Sequence, residues 1–217
     1  MLRSRQTEVR LVAFPFNMAG VVYQDGIDII GLSYIAAHDA LKSKIESTQA
    51  EIDAYEKHIA NGGEWEGEVD EEGYTMWSQD QVLDLRHREA IEAAITLRKA
   101  FVTTLYHHWE RHARSWLKND KFDHAKLVKN VKGLSYPVDD DIEILWMLNN
   151  LLKHNNARWG RPLHERRGDL FHPFFKPKAD TTHWESVVIV RDHHIQEFIN
   201  IVKGSGPEMS TPAPPKD

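Results

Sequence analysis

Three side chains near the end of one apolar run have the types and spacing for acid–base chemistry. In Met147-Leu-Asn-Asn-Leu-Leu-Lys-His154, Asn150 and His154 stand four apart, which on a helix gives them one face. Asn149 lies about a third of a turn away. An amide donates and accepts hydrogen bonds without titrating near neutrality, whereas an imidazole exchanges a proton at physiological pH. His154 is therefore the obvious acid–base group of this face. Cations follow: Lys153 precedes the histidine, and Arg158, Arg161, Arg166 and Arg167 come after it among Trp159, Phe171, Phe174 and Phe175. Such a mixture suits single-stranded RNA, with the cations meeting phosphates and exposed rings stacking on bases. The structural alternative is plainer. Asn150 caps backbone groups, His154 rests at the favourable end of the helix dipole, the phenylalanines pack, and the arginines stay solvated.

Positioning these residues requires helices. Ile30, Tyr34, Ala37, Leu41 and Ile45 recur every three or four positions, so the spacing predicts a long helix from Ile27 to about Ala60, stopped at Asn61-Gly62-Gly63. An acidic linker, GGEWEGEVDEEGYTMWSQ, leads to a second long helix from about Asp80 to Lys118, with Ile91, Ala94, Phe101, Leu105, Trp109 and Trp116 along one stripe. A short helix is expected over Lys121–Lys132. After Pro137, three aspartates precede a helix with Ile144, Leu145, Leu148, Leu151 and Leu152 inside, which ends in the Asn149–His154 stretch. Residues 157–180 read as a proline-punctuated connector. Ser186–Val190 reads as a short strand, and Asp192–Lys203 as a last helix stopped by Gly204. The expectation is an all-α antiparallel helical bundle with a short β element near the C-terminus. Its helical domain covers 27–203, between an N-terminal segment 1–26 of uncertain structure and a disordered tail 204–217.

On these residues the chain resembles the HEPN (higher eukaryotes and prokaryotes nucleotide-binding) family, all-α domains found in RNA-cleaving toxins and antiviral defence proteins. The resemblance lies in Asn150-Leu-Leu-Lys-His154 with Gly160 soon after. It extends to the aromatic–glutamate element Tyr106-x-x-Trp109-Glu110 and to a last helix after a short apolar run, Val187 to Val202, and it is strongest over 80–203. It implies a cytoplasmic homodimer acting on RNA without a metal or other cofactor, with a cognate antitoxin or defence-system partner. His154, Asn149 and Asn150 would be catalytic, and Glu110 and Tyr106 supporting. In RNA-cleaving members an arginine occupies the position held here by Asn149. An amide lacks the positive fork that stabilises a charged phosphorane, a loss on the order of several kcal/mol. The resemblance thus implies either an endoribonuclease or a degenerate module that binds RNA, nucleotide or protein without cleavage.

Composition narrows the field. The 217 residues are 41% hydrophobic, enough for one substantial core, and carry a formal net charge of −6. With no cysteine there is no disulfide, thiol nucleophile or cysteine-based metal site. No apolar run approaches the roughly 20 residues that span a bilayer, so no membrane partner is expected. His108 and His112 stand at metal-ligand spacing, but Trp109 occupies the glutamate position of the zinc-protease motif, and no third ligand is fixed. Glu68, Asp70, Glu72 and Gly73 fit part of a calcium loop, which fails at Gln79 where a bidentate glutamate is needed. A solvated acidic hairpin is the better reading there.

Overall fold

Asn17 starts the first helix. In the computed structural model, which describes residues 16–178 and 181–212, its side-chain oxygen accepts from the N–H groups of Ala19 (3.1 Å) and Gly20 (3.3 Å). Two donors that a helix start leaves unpaired are thereby satisfied, and α1 runs Met18–Ala60. The helix expected from Ile27 thus begins at Met18; of the segment set apart as 1–26, residues 1–15 lie outside the described residues. Gly20 and Gly26 thin out the apolar pattern there, yet each marks a close approach. A Cβ on Gly20 would stand 2.3 Å from the Glu208 carbonyl oxygen, and one on Gly26 2.4 Å from the His108 ring.

The acidic linker is a hairpin. Strands β1 (Gly67–Val69) and β2 (Thr75–Ser78) pair antiparallel, with Glu68 opposite Trp77. Asp70 Oδ1 accepts from the Glu72 and Tyr74 N–H groups (3.0 and 2.8 Å), and Gly73 takes the positive φ (+88°) of the turn. Helix α2 (Gln79–Leu117) then returns along α1. Past Tyr34, α1 buries only Thr48, and α2 before Val102 buries Leu83, Ala90 and Ala94, so the outer halves form an arm with a thin interior. There Thr48 Oγ1 meets His87 Nδ1 at 3.0 Å.

The thick core lies at the other end, where α3 (His124–Gly133), α4 (Ile142–His154), α5 (Ala157–Arg166) and α6 (Asp192–Lys203) close around α2. Trp109, Leu105, Leu127, Leu145, Leu148, Phe198 and Val202 are buried together there. The architecture is predominantly all-α, as expected, and α6 has the expected bounds. No helix among the described residues is long and apolar enough to cross a membrane.

Three expectations need correction. The connector after His154 contains a helix, α5, despite Gly160 and Pro162. Pro162 removes one backbone bond, but Leu163 is fully buried and Gly160 seats against Trp184, so packing outweighs the loss. The Ser186–Val190 run forms no strand: Glu185–Val187 is a 3-10 turn, and only Phe171 and Val188 make an isolated bridge. The run's burial is nonetheless as an apolar segment requires, with Val188 and Val190 inside. Finally, residues 204–212 of the tail are ordered. Ser205 is fully buried, its carbonyl accepting from Trp109 Nε1 (2.7 Å) and its hydroxyl joining Ile201 O (2.7 Å) to the Asp139 N–H (3.1 Å). Polar bonds to two distant segments, at Trp109 and Asp139, supply what the tail lacks in apolar content. Residues 213–217 lie outside the described residues.

Candidate functional site

Helices α4 and α5 meet at a two-residue joint. Asn155 adopts the left-handed conformation (φ 45°) that ends α4, its N–H returning to Leu151 O at 2.8 Å, and its side-chain oxygen accepts from the Glu185 N–H at 2.8 Å. Asn156 then opens α5, whose first carbonyl bonds come from Trp159 (3.3 Å) and Gly160 (3.1 Å). A Cβ at Gly160 would stand 2.1 Å from the Trp184 indole, so glycine here is a condition of α5 lying against that ring.

His154 is the last residue of α4 and is exposed, its ring without a hydrogen-bond or ion-pair partner among the described residues. The two amides expected beside it part company. Asn150, half-buried, gives its Nδ2 donor to Trp146 O one turn back (2.8 Å). Asn149 is turned into the core at 2% exposure, and its Oδ1 meets no donor. The structure therefore brings Asn150 and His154 to one face and places Asn149 elsewhere. A side chain at position 149 leaves from the same side of α4 as Leu145 and does not reach the surface that His154 occupies.

The cations divide as well. Lys153 and Arg158 are exposed and form no ion pair among the described residues, Arg158 lying over the Trp159 ring at 5.1 Å. Arg161 donates to Lys178 O (2.7 Å) and lies 5.9 Å over Trp184. Arg166 bonds Glu143 at 2.7 Å. Arg167 clamps Asp169 (2.8 and 3.0 Å) and Glu197 (2.6 and 3.0 Å). Those hydrogen bonds, from Asp169 foremost, raise the Arg167 pKa despite burial, and the Arg167 contact holds the Asp169 carboxyl below its ordinary range. Charge available to a polyanion is thus concentrated at Lys153 and Arg158, on either side of His154 in the chain.

Glu110 and Tyr106 serve other contacts. Glu110 takes Arg114 (2.9 Å) and His107 (3.1 Å); burial pushes its carboxyl up, but the hydrogen bonds from Arg114 and His107 outweigh burial and leave it low. Tyr106 is buried, which raises its hydroxyl pKa, and it is hydrogen-bonded to His124 Nδ1 at 3.1 Å. His124 was not singled out by the sequence. Burial lowers its pKa to about 4, so its ring is neutral at pH 7, and it stacks flat on Trp146 (4.6 Å, 4°), which in turn meets the Trp159 edge (4.8 Å, 80°). A line of contacts therefore runs from α2 through α3 to the α4–α5 end. Beside it a groove of about 560 Å³ is walled by His124, Val128, Lys132, Glu143, Trp146 and Arg166. The signal for Trp146 was present: Glu143, Trp146, Asn150 and His154 follow at three, four and four along one helix face. His124 gave no such signal, because its place over Trp146 depends on how α3 crosses α4.

The remaining histidine pair is inward. His108 Nε2 bonds Tyr23 O at 3.0 Å, and burial lowers the pKa of both His108 and His112, the latter to about 4. Among the described residues no three His, Asp or Glu side chains converge as a metal site. Compared with protein-family models, curated proteins and solved structures, the chain gives no match in any of the three.

Proposed function

We propose that this chain is a HEPN-like protein that acts on RNA through the α4–α5 end, with His154 as its acid–base group. The observation that carries the reading is His154 itself: an imidazole in water at a helix end, without a partner among the described residues, and between the exposed cations Lys153 and Arg158 in the chain. In a metal-independent cleavage, His154 would take the proton of a 2′-hydroxyl or protonate the leaving oxygen, while the cations hold the phosphate. A homodimer, a cytoplasmic setting and an antitoxin or defence-system partner are part of the proposal and rest on the resemblance alone.

A second reading has its own support. Asn149 is buried where an RNA-cleaving site has its arginine, Arg166 and Arg167 are already held by carboxylates, and Arg158, which lies over Trp159 on α5, is not fixed by a carboxylate against His154, so the phosphorane-stabilising fork has no preset equivalent on α4. That favours binding without cleavage. Labelled total RNA incubated with the protein in EDTA separates the two. Cleavage that disappears in His154→Ala supports the enzyme. Salt-sensitive binding without cleavage, weakened by Arg158→Ala, supports the binding module. Neither binding nor cleavage ends both.

A further inference from the structure

Large apolar side chains stand in water along the outer face of α1, at Met18, Val22, Ile29, Leu32 and Ile35, and again at the tip of the arm, at Trp65, Tyr74, Met76 and Trp77. The tip adds charge of one sign. Residues 64–80 hold seven Asp and Glu and no Lys, Arg or His, and none of the seven forms an ion pair among the described residues. A pocket of about 410 Å³ opens there between the end of α1, the entry to the hairpin and the start of α2. Its walls are Tyr55, Ile59, Ala60 and Trp65, and its charged groups are Glu56 and Asp80. Both rings are held. The Tyr55 hydroxyl accepts from the Glu66 N–H at 3.1 Å, and Gly67 lies so close to the Trp65 indole that a Cβ would run into the ring. The Glu56 and Asp80 carboxylates have no partner among the described residues, and the basic neighbours Lys57 and His58 do not line the pocket.

Electron-rich ring faces and unpaired carboxylates attract the same thing, a weakly hydrated organic cation. We propose that this pocket takes an arginine side chain from a basic peptide segment of a partner protein. The guanidinium lies on the Trp65 indole and donates to Glu56 and Asp80, while further cations of the peptide meet the hairpin carboxylates. Ile59, 38% exposed, and Ala60 give the aliphatic stem of the arginine an apolar wall. The spread of charge selects the occupant. Among the described residues no three carboxylates converge as a metal site, so the hairpin addresses a chain of cations rather than a single ion. A nucleic acid, carrying the same sign, is repelled. Asp80 precedes Val102, where α2 enters the thick core, by roughly 33 Å of helix at 1.5 Å per residue. The pocket is therefore remote from the α4–α5 end, and the inference stands independently of the RNA reading.

Fluorescence anisotropy of a labelled peptide of alternating arginine and glycine, titrated with the full chain at low salt, tests it. The expected result is saturable binding with a Kd on the order of 10 µM. Trp65→Ala, and Glu56→Gln together with Asp80→Asn, are each expected to weaken it about tenfold. Glu71→Gln with Glu72→Gln, carboxylates outside the pocket, is expected to weaken it less than about threefold. A lysine–glycine peptide of the same length binds several-fold more weakly. Circular dichroism checks that each variant keeps the parent's helicity; the Glu56 and Asp80 exchange carries the test if Trp65→Ala does not. No saturable binding up to about 1 mM overturns the inference. So does an equal loss in the Glu71 and Glu72 variant, which reduces the contact to diffuse attraction, or displacement by arginine amide at the peptide's own concentration, which makes the ligand a small cation instead. RNA is absent from every step, so the two proposals fail separately.

Discussion

The α4–α5 end and the outer face of α1 are both exposed, and they differ in what exposure costs. At the α4–α5 end the groups in water are an imidazole, an ammonium and a guanidinium, while Leu148, Leu151 and Leu163 beneath them are sealed. Nothing in that arrangement asks for a cover. Along α1 the groups in water are apolar, and each large one, a little over half exposed, forgoes about 1–2 kcal/mol of burial. The chemistry of the first surface suits a charged ligand, and that of the second an apolar one. Exposure alone does not mark function: its chemistry says which kind of ligand a surface could hold.

The sharpest test of that contrast is His154→Ala. If the α4–α5 end is catalytic, RNA cleavage falls by about 10²–10⁴-fold, while the urea midpoint stays where it was, since a surface imidazole without partners holds nothing together. A large loss of stability in this variant would break the comparison. Acid titration probes the layer beneath. His124 has a folded-state pKa of about 4, below its unfolded value near 6.5, so the unfolded chain binds the extra proton first. Its contribution is present above pH 6.5 and is lost as pH falls towards 4, up to about 3 kcal/mol. Replacing it by phenylalanine, followed by denaturant melts at pH 7 and pH 4.5, should lessen the dependence by this share, the lowered His108, His112 and His194 keeping theirs.

Asn149→Leu is a smaller effect of opposite sign. It removes a buried oxygen that meets no donor, and a gain of about 1 kcal/mol in chemical denaturation is expected. If stability falls instead, Asn149 has a polar role that the geometry does not reveal. Smallest is Arg158→Ala: RNA affinity drops a few-fold at moderate salt, and the slope of log affinity against log salt loses about 0.7, the value for one contact to a single-stranded phosphate. An unchanged slope would remove Arg158 from the interface.

Much of this was legible from spacing. The periods of α2 and α6 located them to within a residue, and the run Leu145–Leu148–Leu151 marked the buried side of α4, although Asn149, one turn after Leu145, was still expected beside His154. What could not be read depends on contacts between distant segments. The start of α1 hid behind Gly20 and Gly26, whose purpose is to admit Glu208 and His108. Helix α5 hid behind Gly160 and Pro162, and its stability comes from Trp184, 24 residues later. Of the carboxylates that occupy Arg166 and Arg167, Glu143 and Glu197 lie on α4 and α6 and only Asp169 is near in sequence, so the charge of these two arginines is balanced in space by partners the run itself does not show.

The Asn17 N–H donates to Met209 O at 3.0 Å, so residue 17 and residue 209 are physical neighbours. A fluorophore or affinity handle on either side of that bond would emerge at the same corner of the bundle. It also makes a circular permutant practical: a short flexible bridge can join the two neighbours, with new ends opened at the exposed Asn61-Gly62 corner at the far tip of the arm, where few side chains would notice the cut.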